Sequence, residues 1–193
     1  MSYLTERREE EKEKRRQAIL DAAELVFEKH GFQAATMDMV ARGARVSRAL
    51  VYVYFKDKEA LHLGICLRGL RTLTGMFQKA RSSASTGFEQ VRAIGQAYME
   101  FSEKYPTRFL AMSLFEAQSN PQEHPCEATL EMLEAGKRVH EQTVLAIVQG
   151  KADGSLRANI DDPMQVSITL WAFSHGTIQL AQTKQNFMST LGI

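Results

Sequence analysis

Arg48, Tyr52 and Lys58 are the side chains of this sequence with the clearest capacity for chemistry, and that chemistry is the binding of anions and base edges. A guanidinium presents parallel N–H donors that fit a phosphate or the edge of a guanine. Arg48 and Tyr52 are four residues apart, so on a helix they share one face. Lys58 follows closely and is expected to reach the same phosphate strand. The set indicates recognition of duplex DNA.

Two capping residues predict the helices that position these side chains. Thr36 and Ser47 each precede a short helical pattern, and Asp38 lies in the first turn of the earlier one. A tight break at Arg45–Val46 separates the two patterns. This is the outline of a helix-turn-helix, whose second helix enters the major groove, and both caps place N–H groups and hydroxyls where anions bind.

The second of these helices is expected to have an inner and an outer face. Val51 and Phe55 are apolar and four residues apart, so we expect them to face the core. Arg48 lies on the opposite face beside Ala49, which is small enough to permit close approach to the groove. The residues predicted to contact DNA are Thr36, Arg45, Val46, Ser47, Arg48, Ala49, Leu50, Tyr52, Val53, Tyr54 and Lys58.

The distribution of charge supports this prediction better than the net charge, which is only +1. Residues 29–58 contain six basic and two acidic side chains, a local charge of +4. Residues 6–16 instead mix six basic with five acidic side chains. That segment is either a solvated, frayed helix start or a basic arm whose Arg15 and Arg16 touch backbone phosphate.

Helical periodicity dominates the whole chain. An apolar stripe from Ile19 to Phe27 ends at Gly31, which we expect to act as a C-cap. Asp57 and Asp162 are expected to cap later helices, and the loop 119–125 holds two prolines. We predict an all-α protein: a three-helix DNA-binding head with a helix-turn-helix in residues 1–60, followed by a larger helical-bundle regulatory body in residues 61–193.

Other classes of function have no support in the sequence. No order of Ser, His and Asp, no glycine-rich phosphate loop and no metal-spaced His cluster occurs, so we predict neither an enzyme nor a bound metal or cofactor. Cys66 and Cys126 lie far apart, which argues against a disulfide framework. No apolar run is long enough to span a membrane, and no signal peptide is recognised. We expect a cytoplasmic protein.

Residues 15–62 resemble the DNA-binding domain of the TetR family of bacterial transcriptional regulators. The matching stretches are AILDAAELVFEKHGFQAATMDMVA and VSRALVYVYFKDKEAL. Beyond residue 65 the resemblance is architectural, although Gly154-Ser155-Leu156-Arg157 before an Asp-Asp-Pro helix start is similar to the family. The resemblance implies a homodimer of all-helical subunits, each with a three-helix DNA-binding head and a body that binds small molecules and dimerises.

Three positions depart from the family pattern. Arg45 replaces the usual glycine of the turn, which costs about 1 kcal/mol if φ is positive there, and pairing with phosphate would offset this cost. Val53 replaces an aromatic residue or histidine, so it would meet a thymine methyl rather than make a polar contact. Only ten residues follow Thr183, too few for the long last helix of the family. Either the sequence is short at this end or the dimer closes differently.

Large apolar side chains spread over the body suit an adaptable ligand pocket as well as an ordinary core. His175 lies in an apolar helix, either as a satisfied buried histidine or as a ligand group. The predicted pocket residues are Phe77, Phe101, Met112, Phe115, Trp171 and His175. The favoured function is a dimeric repressor that a mostly apolar small molecule releases from a palindromic DNA operator. The alternative is a DNA-bound structural or partner-recruiting protein without an effector.

Overall fold

The computed structural model describes residues 3–118, 127–184 and 190, and within these ranges the secondary structure is helical, without strands. The all-α prediction is therefore confirmed. The predicted loop at 119–125 and most of the residues after 184 lie outside the described part of the chain. The helices are α1 (Tyr3–Ala34), α2 (Met37–Gly43), α3 (Arg48–Tyr54), α4 (Lys58–Ser82), α5 (Gly87–Lys104), α6 (Pro106–Gln118), α7 (Glu127–Asp153) and α8 (Pro163–Thr183).

Side-chain caps begin the helices where the sequence predicts them. Thr36 Oγ1 accepts a hydrogen bond from the Met39 N–H at 3.3 Å, and Ser47 Oγ accepts one from the Leu50 N–H at 3.2 Å. Asp162 caps α8 in the same way, ahead of a proline in its first turn. These three predicted caps are confirmed.

The long first helix differs from the prediction at both ends. The backbone breaks at Gly31, whose φ is 73°, so the predicted end of the regular helix is confirmed, but a short turn continues α1 to Ala34. At the other end α1 begins at Tyr3, well before the apolar stripe. The charged residues 6–16 therefore belong to a continuous helix.

The chain divides into two compact units. The first unit contains α1, α2, α3, the start of α4 up to Arg68, and α6 from Thr107. In it α2 packs against both α1 and α3, around buried side chains that include Leu20, Val51 and Leu61. Each such side chain stabilises the fold by about 1.5–3 kcal/mol. The sequence predicts a domain boundary after residue 60. The division into these two compact units does not test that boundary, so it stays a prediction.

The second unit contains α4 from Gly69, α5, α7 and α8, with α5, α7 and α8 packed on one another. The backbones of α5 and α7 meet at Gly87 and Gly150, where a Cβ on Gly87 would lie 2.0 Å from the Gly150 nitrogen. Asp153 accepts a hydrogen bond from the Gly87 N–H at 2.8 Å. Hydrogen bonds from Ser155 and from Gly87 lower the pKa of Asp153 to about 2. No helix among the described residues is long and apolar enough to cross a membrane.

Candidate DNA-binding site

The turn between α2 and α3 is a Schellman motif with arginine at its left-handed position. The Val46 N–H donates to the Ala41 carbonyl at 3.0 Å, and the Arg45 N–H donates to the Arg42 carbonyl at 3.1 Å. Arg45 has φ of 56°, the left-handed conformation that glycine adopts most easily. Having arginine instead of glycine at this position therefore strains the backbone at Arg45. The Arg45 side chain is exposed and lies just before helix α3.

We expect Arg45→Gly to stabilise the protein, because it relieves a strain of about 1–2 kcal/mol at the expense of about 0.5–1 kcal/mol of glycine entropy. Arg45→Ala is the matched control, since it removes the same charge but keeps a Cβ in the left-handed region. In urea denaturation the glycine variant should exceed the alanine variant by about 1 kcal/mol. Equal stabilities would mean that the turn relaxes without glycine.

The recognition helix α3 divides into the two faces that the sequence predicts. Val51 and Phe55 are buried in the first unit. The outer face exposes Arg48, Ala49 and Val53, and Val53 has 75% of its surface exposed. Four of the other predicted contact residues are exposed: Thr36, Arg45, Ser47 and Tyr52. The remaining four are half-buried: Val46, Leu50, Tyr54 and Lys58. The exposed face of α3 therefore combines a polar patch at Arg48 with an apolar patch at Val53, and its contact with DNA stays a prediction.

Arg48 is held by two neighbours on the protein surface. Its Nη1 lies 3.3 Å from the Asp38 carboxylate, its Nη2 donates to the Tyr52 hydroxyl at 3.3 Å, and the guanidinium carbon lies 5.5 Å from the Tyr52 ring centre. The hydrogen bond to Tyr52 and then the charge of Asp38 raise the pKa of Arg48. The side chains of Arg48 and Asp38 are 60% and 51% exposed, so this pair contributes little to stability and can exchange for DNA. The sequence places Asp38 in the first turn of α2 but does not predict its contact with Arg48.

Lys58 has a structural role that the sequence does not reveal. Its ammonium donates to the carbonyl oxygens of Phe32 at 2.8 Å and Gln33 at 3.0 Å, and lies 4.6 Å from the Phe32 ring centre. The side chain therefore closes the end of α1 with charge-assisted hydrogen bonds. The two carbonyl oxygens take up two of the three N–H donors of the ammonium group. A contact between Lys58 and DNA stays a prediction.

Three of the predicted pocket residues are linked within the second unit by a residue outside the predicted set, Tyr98. The Phe77 and Tyr98 rings meet edge to face at 6.2 Å, and the Tyr98 hydroxyl lies 2.7 Å from His175 Nδ1. Trp171 follows, with ring centres 5.5 Å apart between it and His175. The cluster joins the hydrogen-bonding pair Tyr98 and His175 to the rings of Phe77 and Trp171, and its role as a ligand pocket stays a prediction.

A second histidine extends this cluster. His140 Nδ1 lies 3.0 Å from Ser167 Oγ, and its ring meets Trp171 edge to face at 5.8 Å. Burial lowers the pKa of both His140 and His175, so both rings are neutral near pH 7. The sequence offered one signal for His140, a histidine in the helix that precedes α8. Ser167, buried and polar, becomes recognisable only from its contact.

The remaining predicted pocket residues are placed separately. Phe101 is fully buried in α5, with its ring 5.6 Å from that of Tyr105. Met112 and Phe115 lie on α6, in the first unit, where Met112 is buried and Phe115 is half-buried. No group of three or more His, Cys, Asp or Glu side chains suited to a metal ion occurs in the described ranges.

Two family models match separate parts of the chain. Residues 19–65 match the model for bacterial regulatory proteins of the tetR family. Residues 91–190 match the model for the tetracyclin repressor-like C-terminal domain, which alone covers more than half of the chain. The first match contains α2, α3 and the turn between them, and the second begins within α5 and continues through α8.

Known proteins give the same assignment of fold and class. The HTH-type transcriptional regulator YhgD of Bacillus subtilis is 26% identical over 80% of this chain and 76% of its own length. The HTH-type transcriptional activator FasR of Mycolicibacterium smegmatis is 32% identical over 48% of this chain and 42% of its own. FadR of Bacillus subtilis, solved in complex with stearoyl-CoA, superposes with a TM-score of 0.73 at 17% identity over 88% of each chain. At that identity the likeness to FadR concerns the fold.

Proposed function

Because the chain belongs to the TetR family of bacterial transcriptional regulators, we propose that it is a dimeric repressor that a small-molecule effector releases from a palindromic operator. It is a DNA-binding regulator and not an enzyme. Its site of action would be the cytoplasm, where a bacterial operator lies. The observation that carries the proposal is the outer face of α3, where Arg48 is exposed beside Ala49 and Val53.

That face supports a specific mode of reading DNA. Arg48 would exchange Asp38 for a guanine edge or a phosphate, and Val53 would meet a thymine methyl. The capped starts of α2 and α3 supply N–H groups to flanking phosphates. If Arg48 reads a guanine, each half-site should contain a G·C pair, and the Val53 contact with a thymine methyl calls for an A·T pair in the same half-site.

The exposed side of α8 supports a homodimer. Phe173 has 76% of its surface exposed, and Ile168 and Leu180 are also exposed on this largely apolar helix. Ala172 and Gly176 lie between them and would let a second helix approach closely. A two-fold symmetric dimer of this kind matches a palindromic operator, whose half-sites would lie about 34–36 Å apart, or somewhat wider.

We expect Phe173→Asp to convert the dimer to a monomer. Each subunit would bury one Phe173, and each burial contributes about 1.5–3 kcal/mol, so dimerisation should weaken by about two to four orders of magnitude. Sedimentation equilibrium measures this directly. Phe88→Asp is the control, because Phe88 is also an exposed phenylalanine but begins α5. A dimeric Phe173→Asp protein would exclude this face of α8 from the interface.

The cluster around Tyr98 supports a mostly apolar effector with one hydrogen-bonding group. Phe77 and Trp171 supply apolar surface, while Tyr98 and His175 supply the polar group. FadR, which shares the fold, is solved with an acyl chain attached to coenzyme A. An effector that prefers one arrangement of the two recognition helices by about 1–3 kcal/mol would change operator affinity by roughly 5–150-fold.

The proposal is tested by selecting operators from random duplex DNA and then measuring gel shifts with and without candidate effectors. Thermal-shift screening of acyl-CoA esters and other apolar ligands supplies those candidates. We expect a selected palindrome and an effector that weakens its binding. A transcription reporter then separates repression from activation. If no DNA sequence is selected, the proposed operator binding is wrong. If a palindrome is selected but no effector changes its binding, the proposed release by a small molecule is wrong.

A further inference from the structure

The charged start of α1 lies beside the far end of the recognition helix. An open groove of about 470 Å³ runs between the two, which is room for a length of sugar–phosphate chain rather than for a few waters. The residues that line it are Glu9, Lys12, Glu13 and Arg16 from α1 and Val53 and Tyr54 from α3. One face of the helical extension therefore points along the surface that the recognition helix presents.

The other face of the same extension points elsewhere. A separate surface depression is lined by Glu6, Arg7, Glu10, Glu11 and Lys14. At 3.6 residues per turn, Arg8, Lys12 and Arg15 fall within about 60° of one another, on the side of α1 that holds the buried Ile19. Three of the six basic side chains in residues 6–16 thus share one side of the helix, although six basic and five acidic side chains give this segment a net charge of only +1.

We propose that this basic stripe, defined as Arg8, Lys12 and Arg15, is a second DNA contact that holds the sugar–phosphate backbone beside the recognition helix. The inference rests on the proposed function, because DNA must first lie against the outer face of α3. Val53 is exposed on that face and also lines the groove. A duplex read by α3 would consequently continue past the mouth of the groove, which Lys12 lines, and Arg8 and Arg15 lie on the same side of α1 as Lys12.

The acidic neighbours of the stripe do not prevent this contact. Lys12 lies 4.0 Å from Glu9, and Arg15 lies 2.8 Å from Glu11, and all four side chains are more than half exposed. Such pairs contribute little, and a phosphate contact gains the release of counterions from DNA. Glu13 also lines the groove and is exposed, so Lys12 and Arg15 can exchange carboxylates for phosphates while Glu9, Glu11 and Glu13 remain hydrated.

Arg16 marks the inner limit of the groove. Its guanidinium carbon lies 5.2 Å from the Phe55 ring centre, and its Nη1 lies 3.8 Å from Glu13. This contact fastens α1 to the end of α3 with a cation–π interaction. The contact therefore ties α1 to the end of α3 at the inner end of the stripe.

The test compares two double variants of the full chain on a selected operator duplex. Arg8→Gln/Lys12→Gln changes the stripe, and Arg7→Gln/Lys14→Gln makes the same change of charge on the other face of the same helix. We expect only the first to reduce the salt dependence of binding, by about 0.9 in the slope of log K against log salt for each lost phosphate contact. Operator affinity should fall about tenfold or more while the preference among operator sequences stays unchanged.

Circular dichroism and thermal melts would establish that both variants keep their helices. Equal salt slopes for the two variants, with specific binding by the wild type, would overturn the second contact alone and leave a solvated helix extension. A wild-type protein that binds no duplex specifically would overturn the operator function and the stripe together. A shift in preferred sequence in the stripe variant would show base reading, and would also overturn a contact limited to the backbone.

Discussion

Arg48→Ala is expected to abolish sequence-specific DNA binding while leaving the protein folded. Arg48 is exposed on α3, and its ion pair with Asp38 contributes little to stability. A bidentate arginine–guanine contact supplies about 1–3 kcal/mol of discrimination, and a dimer would lose two of them. Operator affinity should fall by about 30-fold to 10⁴-fold, with the melting temperature nearly unchanged.

Two further variants make this result specific. Arg42→Ala removes the same charge from the last turn of α2, and it should lower affinity for all duplexes to a similar, small extent. Arg48→Lys keeps the charge but loses the planar fork, so it should retain general affinity and lose operator preference. The measurement is a gel-shift titration against operator and scrambled duplex. Operator affinity equal to that of the wild type in Arg48→Ala would reject α3 as the reading helix.

The sequence predicted the helix starts because caps are local. Thr36 and Ser47 each bond an N–H three residues ahead, so the signal and its consequence lie within one turn. The strain at Arg45 was predictable for the same reason. Arg45 is the left-handed position of the Schellman turn, so the short turn alone sets its backbone conformation. The division of α3 into faces follows from helical spacing alone.

The partners of the functional side chains could not be predicted, because they depend on distances across the fold. Lys58 is drawn to carbonyls 25 and 26 residues earlier, at the end of α1. Tyr98 and His175 meet across 77 residues. Neither pairing leaves a periodic signal in the sequence. From its local sequence alone, Lys58 is explained equally well as a phosphate ligand, and Tyr98 as an ordinary core residue.

Glu24→Ala is expected to have the largest effect on stability. Glu24 accepts hydrogen bonds from Arg68 at 2.9 Å and from Arg108 at 3.0 Å, and so joins α1 to α4 and α6 within the first unit. The three side chains are only 18%, 13% and 16% exposed. Removing one member of a buried ion pair costs about 3–5 kcal/mol, because the remaining charge keeps its desolvation penalty.

The lower end of that range applies here, since Arg68 also bonds Asp21 at 2.6 Å and the Gln17 carbonyl at 3.0 Å. Urea denaturation should therefore show a loss of about 3 kcal/mol for Glu24→Ala. Glu28→Ala, one turn later on the exposed side of α1, should change stability by less than about 0.5 kcal/mol. Similar losses for both variants would contradict the role of the network.

Glu24→Gln then separates charge from hydrogen bonding at this position. A glutamine carbonyl can take the place of Oε1, which accepts from both Arg68 and Arg108, but the side chain loses its charge and places an amide donor where Oε2 accepts from Arg108. If the carboxylate charge is what holds the three helices together, the glutamine variant should lose nearly as much stability as the alanine variant. If the hydrogen bonds accepted by one neutral oxygen are sufficient, glutamine should restore about half of the loss or more. The first outcome is expected, because both arginines approach the same carboxylate with charge-assisted bonds.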